Sequence, residues 1–227
     1  MNATWQSDDG SVRLFLGDAM TILPHVAGDL ISTDPPYGIA HPCNFHTRWR
    51  DRIAKCHDYP DVHGDNKPFD PKPLLRLGLP TILWGANHFA NLLPVSPGWL
   101  VWDKKRPDTL DQSTCELAWT NCVKGVRRFA HLWNGCMKAS ERGENYHPTS
   151  KPVALFEWQL GLRWTRGFQT IIDPYMGAGP QGVACVRMGK SYVGMEIAPQ
   201  YFEIAVARAK RALAERAAQL PFEETKQ

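Results

Sequence analysis

Short segments that are apolar at almost every position recur along this chain, and they constrain its fold more than any other feature. Strands are expected over Val12–Leu16, Leu30–Thr33, Thr81–Trp84, Trp99–Asp103, Glu116–Trp119, Arg128–Trp133, Thr170–Asp173 and Ser191–Met195. Successive side chains of a strand point to opposite faces of its sheet, so a continuous apolar run is covered on both sides. Helical patterns fall between some of these runs, over Pro71–Leu77, Val153–Leu162, Gln181–Met188 and Pro199–Leu220. The last opens on proline and carries Phe202, Ala205, Val206, Ala209 and Leu213 along one stripe. Strands interleaved with helices specify an α/β fold, a sheet between two helical layers.

With 227 residues, 43% of them hydrophobic, one large domain spanning 1–227 is expected. The amino end, MNATWQSDDG, has no apolar stretch resembling a secretion signal, and no run approaches the roughly 20 residues of a membrane span. The expectation is a cytoplasmic protein with no membrane partner. The six cysteines show no repeated C-x-x-C spacing, which fits reduced thiols. Cys43, His46, Cys56 and His57 match no common zinc pattern, so no metal is expected.

Two turns carry chemistry. In STDPPYGIA, residues 32–40, a strand ends on Asp34-Pro35-Pro36-Tyr37: a carboxylate, two residues without backbone donors, and a ring. In TIIDPYMGAGPQG, residues 170–182, a strand ends at Asp173, and Gly177, Gly179 and Gly182 open the next helix. These glycines fit G-x-G-x-x-G, which also belongs to dinucleotide-binding folds. In those folds the first glycine follows the strand almost at once, whereas here Pro174-Tyr175-Met176 intervene. The wider loop suits a nucleoside and amino-acid ligand better than a pyrophosphate. Glu196 ends the following strand and fits a ribose in either case. On the glycines alone, a nicotinamide-dependent oxidoreductase stays open as an alternative.

The net charge of +3 is mild, but its distribution is uneven. Lys104, Lys105 and Arg106 precede an acid-free stretch, 117–140, that holds Lys124, Arg127, Arg128 and Lys138 interleaved with Phe129, His131 and Trp133. Cations mixed with rings point to a nucleic-acid partner, with a solvated charged face as the alternative reading of the same residues. Segments 41–73 and 104–146 are the candidate nucleic-acid-facing regions.

Taken together, "DPPYG" at 34–38, "HPTSKP" at 147–152, "DPYMGAG" at 173–179, "GMEI" at 194–197 and a weaker "GDAMTILP" at 17–24 resemble the DNA amino-methyltransferases that use S-adenosylmethionine. The target-side motif precedes the cofactor-side motif, the circularly permuted order of the β class. "LWGANHFA" (83–90), "GWLVWDK" (98–104) and "ELAWTN" (116–121) are similar to small phage- and prophage-type adenine methylases. The resemblance implies a Rossmann-like class I methyltransferase fold with a mixed, mostly parallel sheet. It implies methyl transfer to the exocyclic N6 amine of a flipped adenine in double-stranded DNA, with N4-cytosine or RNA methylation as the alternative. A homodimer is expected, because a short target-reading region gives one chain little grip on a duplex.

The resemblance also assigns roles. Asp18, Asp34, Thr149, Lys151, Asp173, Tyr175, Gly177, Gly179 and Glu196 would line the cofactor, with Glu196 on the ribose and Lys151 at the methionine carboxylate. Asp34 and the Pro35 carbonyl would accept hydrogen bonds from the target amine, Pro36 would stiffen the turn, and the Tyr37 ring would stack on the base. Base stacking is worth roughly 1–3 kcal/mol, which offsets much of the cost of extrusion. The Tyr37 hydroxyl has no assigned task in this scheme. Lys104, Lys105, Arg127, Arg128, Lys138 and Arg142 would meet phosphates. Relatives mostly carry phenylalanine where Tyr175 stands and a hydroxyl-bearing loop where Ala178 and Pro180 stand, which bears on cofactor affinity.

Overall fold

The computed structural model describes residues 1–39, 64–107, 109, 113–134, 137–141 and 150–219. Its strands are β1 (Trp5–Gln6), β2 (Val12–Leu16), β3 (Leu30–Thr33), β4 (Thr81–Trp84), β5 (Gly98–Asp103), β6 (Cys115–Thr120), β7 (Val126–Ala130), β8 (Trp133–Asn134), β9 (Met137–Lys138), β10 (Thr170–Asp173) and β11 (Ser191–Glu196). Its α-helices are α1 (Ala19–Ile22), α2 (Lys72–Leu75), α3 (Val153–Gly161), α4 (Pro180–Arg187) and α5 (Pro199–Gln219).

A nine-stranded sheet runs in the order β1-β2-β11-β10-β3-β4-β6-β5-β7, and β8 pairs with β9 separately. β2, β11, β10, β3 and β4 are mutually parallel. β6 is antiparallel to both β4 and β5. The mixed, mostly parallel sheet implied by the resemblance is therefore present. β3 and β4 are buried at every position, which explains their lack of alternation.

Each face of the sheet has its own core. Leu30, Ile82 and Ile171 pack with Leu155, Val183, Phe202 and Ala205 from α3, α4 and α5. Their neighbours Ile31, Leu83 and Ile172 point the other way, onto Ala19, Ile22, Leu74 and Phe89. The helix after β10 thus lies on one face, and α2, the next described helix after β3, lies on the other. β3 and β10 are adjacent, with Leu30 opposite Ile171 and Ile31 opposite Ile172. A crevice opens at the carboxyl ends of such a strand pair, where doubly wound sheets bind ligands.

One local expectation needs correction, and two short elements are new. The strand read as Arg128–Trp133 spans Val126–Ala130: regular pairing with β5 stops at Asp103–Ala130, just before the backbone turns at Lys105 with its positive φ of 51°. The short β1 and α1 were not anticipated; α1 forms because the Asp18 carboxylate caps it, accepting from the Met20 N–H at 3.0 Å. Among the described residues no helix is long and apolar enough to cross a membrane, and no cluster of metal-binding side chains occurs. Cys43, His46, Cys56 and His57, the span 41–63, Arg142 and Thr149 lie outside the described residues.

Candidate active site

The carboxyl ends of the parallel strands, together with the amino end of β6, surround a hollow of about 1030 Å³. Following the sheet order, its wall passes from Asp18 and Glu196, over the glycine loop after β10, to Asp34–Tyr37 after β3. It continues to His88, Lys104 and Glu116.

The glycine loop is held from beneath and from the side. Glu196 accepts from the Gly177 N–H at 3.0 Å and the Ala198 N–H at 2.8 Å. Gly179 leads into α4, whose first residue is Pro180. A proline there forfeits nothing, since the first N–H of a helix has no partner within it. Tyr175 is half-buried with its ring edge-on to Phe69, and burial pushes its hydroxyl pKa up to about 12.

Asp173 lies below this loop and binds the protein itself. Its carboxylate accepts from the Thr33 hydroxyl (2.7 Å), the Tyr192 hydroxyl (2.9 Å), and the Tyr175 N–H and Gln181 amide (both 3.3 Å). Gln181 continues a buried chain. The Ser32 hydroxyl donates to Gln181 at 2.6 Å and accepts from Gln159 at 2.6 Å, and Gln159 accepts from the Trp84 indole at 2.8 Å. This relay stitches β3, β4, β10 and β11 to α3 and α4, fully out of water.

Burial outweighs those hydrogen bonds and lifts the Asp173 pKa from its ordinary 3.8 to about 7. The folded state then binds more protons than the unfolded one between those values, so stability falls as pH rises from about 4 to about 7. Three pKa units correspond to a loss of roughly 4 kcal/mol. Asp173→Asn should flatten that decline, which urea denaturation at several pH values would reveal; an unchanged slope would locate the proton elsewhere.

At the end of β3, Asp34–Tyr37, the turn expected to clamp the target base, meets a row of charges. The Tyr37 hydroxyl donates to Asp34 Oδ1 at 2.5 Å and accepts from Lys151 Nζ at 2.9 Å. Lys151 also forms ion pairs with Asp34 Oδ2 and, at 3.0 Å, Glu116 Oε2. Glu116 Oε1 pairs in turn with Lys104 at 2.5 Å. The Lys151 side chain is 3% exposed, with its ammonium hydrogen-bonded to Tyr37 and ion-paired with both carboxylates. Burial opposes its charge, yet Asp34 and Glu116 together hold its pKa above the ordinary lysine range. Burial also opposes the charge on Glu116, but Lys151 and Lys104 outweigh it and depress that carboxyl to about 2. Burial lifts the Asp34 carboxyl, against the pull of Lys151.

This arrangement adds two features to the sequence reading. Lys151 lines the hollow and is ion-paired there with Asp34 and Glu116. The Tyr37 hydroxyl is a central member of the network, so it is not incidental to a stacking ring. The ring itself lies on His88, with centroids 4.7 Å apart and planes 14° from parallel.

Gly85 makes room for that ring. Its φ is +71°, and a Cβ there would come within 1.9 Å of Tyr37 Cε1. Gly85→Ala should therefore push Tyr37 off Asp34 and destabilise the fold by roughly 1–3 kcal/mol. Denaturant melts would measure the loss, and unchanged stability would mean that Tyr37 is not confined there.

The expected phosphate contacts do not form one patch. Lys104 is buried in the charge row. Lys105 is exposed, with a positive φ of 51°. Arg127 and Arg128 are consecutive on edge strand β7 and so project from opposite faces. Arg127 lies over Trp164 at 4.6 Å, while Arg128 is exposed and 3.6 Å from Asp103. Lys138 lies over Trp133 at 4.3 Å.

A sequence profile described as DNA methylase matches residues 88–207, from the turn after β4 into α5. The chain belongs to this DNA methylase family. Among curated relatives, the Type II methyltransferase M2.LlaDCHI of Lactococcus lactis subsp. cremoris is 32% identical over 83 residues, covering 36% of this chain and 30% of that protein. M2.MboI of Moraxella bovis is 25% identical over 123 residues, covering 54% and 44%. The chain therefore matches less than half the length of these relatives.

In three dimensions it superimposes on the M1.HpyAVI–SAM complex with a TM-score of 0.54 at 18% identity, covering 87% of this chain and 99% of that one. Against the cytosine-N4-specific PvuII DNA methyltransferase the score is 0.60 at 11% identity, covering 87% and 86%. At such identities the likeness establishes the shared fold, which is the Rossmann-like class I methyltransferase fold.

Several residues of the site escaped the sequence reading. Asp65 accepts from the Gly38 and Ile39 N–H groups at 2.9 and 3.3 Å and so fixes the exit of the clamp turn. Glu116, His88, Gln159 and Gln181 were also missed. Only Glu116 left a signal: an acid opening an otherwise apolar strand, at the border of the acid-free stretch.

Proposed function

We propose that this DNA methylase transfers a methyl group from S-adenosylmethionine to the N6 amine of an adenine in double-stranded DNA, by direct displacement. One observation carries the reading: the Asp34–Tyr37 clamp and the Glu196-anchored glycine loop end neighbouring strands and wall one hollow. At about 1030 Å³ the hollow is at the upper end of small-molecule pockets, with room for a nucleoside cofactor beside a base.

S-adenosylmethionine, when bound, supplies a methyl group on a sulfonium. Glu196, already oriented by two backbone N–H groups, is the carboxylate for the ribose hydroxyls, and Asp18 lines the same end. Asp34 accepts a hydrogen bond from the target amine, which withdraws its lone pair from the ring. Its charge then opposes the positive charge that builds on nitrogen.

Nucleoside mass spectrometry of DNA from cells expressing the protein tests the reaction. N6-methyladenine is expected; N4-methylcytosine or an unmodified pool would overturn the adenine reading. Glu196→Ala should weaken S-adenosylmethionine binding in a folded protein. Calorimetry showing parental affinity, or tight binding of a nicotinamide cofactor instead, would remove the cofactor assignment.

Double-stranded DNA is the proposed partner, gripped by cations of the 104–146 segment. Each phosphate contact steepens the fall of log affinity with log salt by about 0.9. Because Arg127 and Arg128 project from opposite faces, only one of the two single alanine substitutions should reduce the slope. Two reduced slopes would contradict a one-face contact. The proposed assembly is a homodimer, and light scattering at the 25.6 kDa monomer mass, with and without DNA, would count against it.

A further inference from the structure

We infer that Glu116 is a positioning residue for methyl transfer: it anchors Lys151 from behind, so that one ammonium fastens both Asp34 and Tyr37. This deepens the methyltransferase reading and rests on it.

The topology puts Glu116 there. β6 runs antiparallel to β4 and β5, so its first residues lie beside the last residues of its neighbours, with Asp103 opposite Cys115 and Trp102 opposite Glu116. The carboxylate reaches Lys104 with one oxygen and Lys151 with the other. A buried ion pair is ordinarily weak evidence for anything beyond packing. This one differs because Lys151 directly contacts the two polar groups of the clamp.

Charge balance supplies the second reason. Asp34 and Glu116 offset Lys151 and Lys104, so the row is neutral overall. Without Glu116 the row carries a net positive charge beside a nitrogen that becomes cationic during transfer. Among the described residues, the other ionisable groups facing the row are Tyr37, Asp65 and Asp173 on the β3 and β10 side, His88 against the Tyr37 ring, and Arg106 beyond β5. Tyr37 meets Lys151 through a hydroxyl, whereas Glu116 brings it a second carboxylate.

Glu116→Gln keeps the shape and removes the charge. Single-turnover methyl transfer should fall roughly 10–100-fold, with S-adenosylmethionine and DNA affinities within about threefold of the parent. The alkaline limb of the rate profile should move to lower pH, because Lys151 loses a carboxylate that held its proton. Glu116→Asp should recover part of the rate.

The 13Cε signal of Lys151, assigned by its loss in Lys151→Arg, reports the same shift by NMR without any turnover. A parental rate in Glu116→Gln overturns the inference, and so does an unmoved Lys151 titration. If the parent protein itself fails to methylate, the enzyme reading falls, while the Lys151 titration still decides whether Glu116 holds the clamp. Should Glu116→Gln fail to fold, the same two measurements on Glu116→Asp decide: parental values in both overturn the inference.

Discussion

Asp34→Ala is expected to slow single-turnover methyl transfer by roughly 10²–10³-fold while S-adenosylmethionine binding stays near the parental level. The substitution removes an acceptor for the target amine and an anion facing a developing cation. It also leaves the Lys151 ammonium beside the reacting nitrogen with one fewer counter-charge. Asp34→Asn should be nearly as poor. Both oxygens of Asp34 accept hydrogen bonds, from Tyr37 and Lys151, and an amide can offer an oxygen to only one of them. Tyr37→Phe keeps the ring yet deletes a hydroxyl bonded to two charged groups, an interaction worth about 1.5–3 kcal/mol. Rapid-quench transfer on one mapped duplex measures all three variants. Parental turnover in Asp34→Ala would sink the clamp and the methyltransferase reading with it.

Lys151→Met should produce the largest loss of stability, roughly 3–5 kcal/mol near neutral pH, because Asp34 and Glu116 are left buried without the cation between them. The pH dependence separates this cause from lost packing. In the parent, Glu116 has its carboxyl depressed to about 2, so it contributes stability above about 4.5 that is lost as pH falls toward 2. In the variant the two carboxyls repel each other and sit above their unfolded values. The folded state then binds the extra protons, and stability rises as pH falls toward about 4. The contribution of Asp173 is common to both proteins and cancels in the difference. Denaturation of parent and variant from pH 4 to 8 should show the gap widening with pH, and a constant gap would mean that only packing was lost.

Strand identity was legible wherever burial on both faces made the chain continuously apolar. β2, β3, β4 and β10 have the bounds expected of them. The end of β7 was not legible, because it is set where regular pairing with β5 stops, just before the turn at Lys105. At the site, Asp34, Tyr37, Lys151 and Glu196 could be named from motifs, but their partners could not. The pairing of Lys151 with Glu116 joins residues 35 positions apart, and that of Ser32 with Gln181 spans 149. Nothing local marks either. Lys104 shows the same limit: beside Lys105 and Arg106 it looks like surface charge, and only the neighbouring strand reveals the carboxylate that buries it.

The adjacency of β3 and β10 has a consequence for the span of the reaction. Neighbouring strands lie roughly 4.8 Å apart, fixed by backbone hydrogen bonds, and reacting atoms must approach to about 3–3.5 Å. In the proposed reaction one strand delivers the acceptor turn and its neighbour, paired beside it, delivers the donor loop. The gap a methyl group must cross is thus a backbone dimension, which side-chain exchange in the hollow can retune in affinity but hardly in length. Slipping β3 by one residue would displace the turn by about 3.3 Å and reverse its faces, abolishing transfer with every side chain intact. It follows that two such turns can exchange their order along a chain without loss, provided their strands remain side by side.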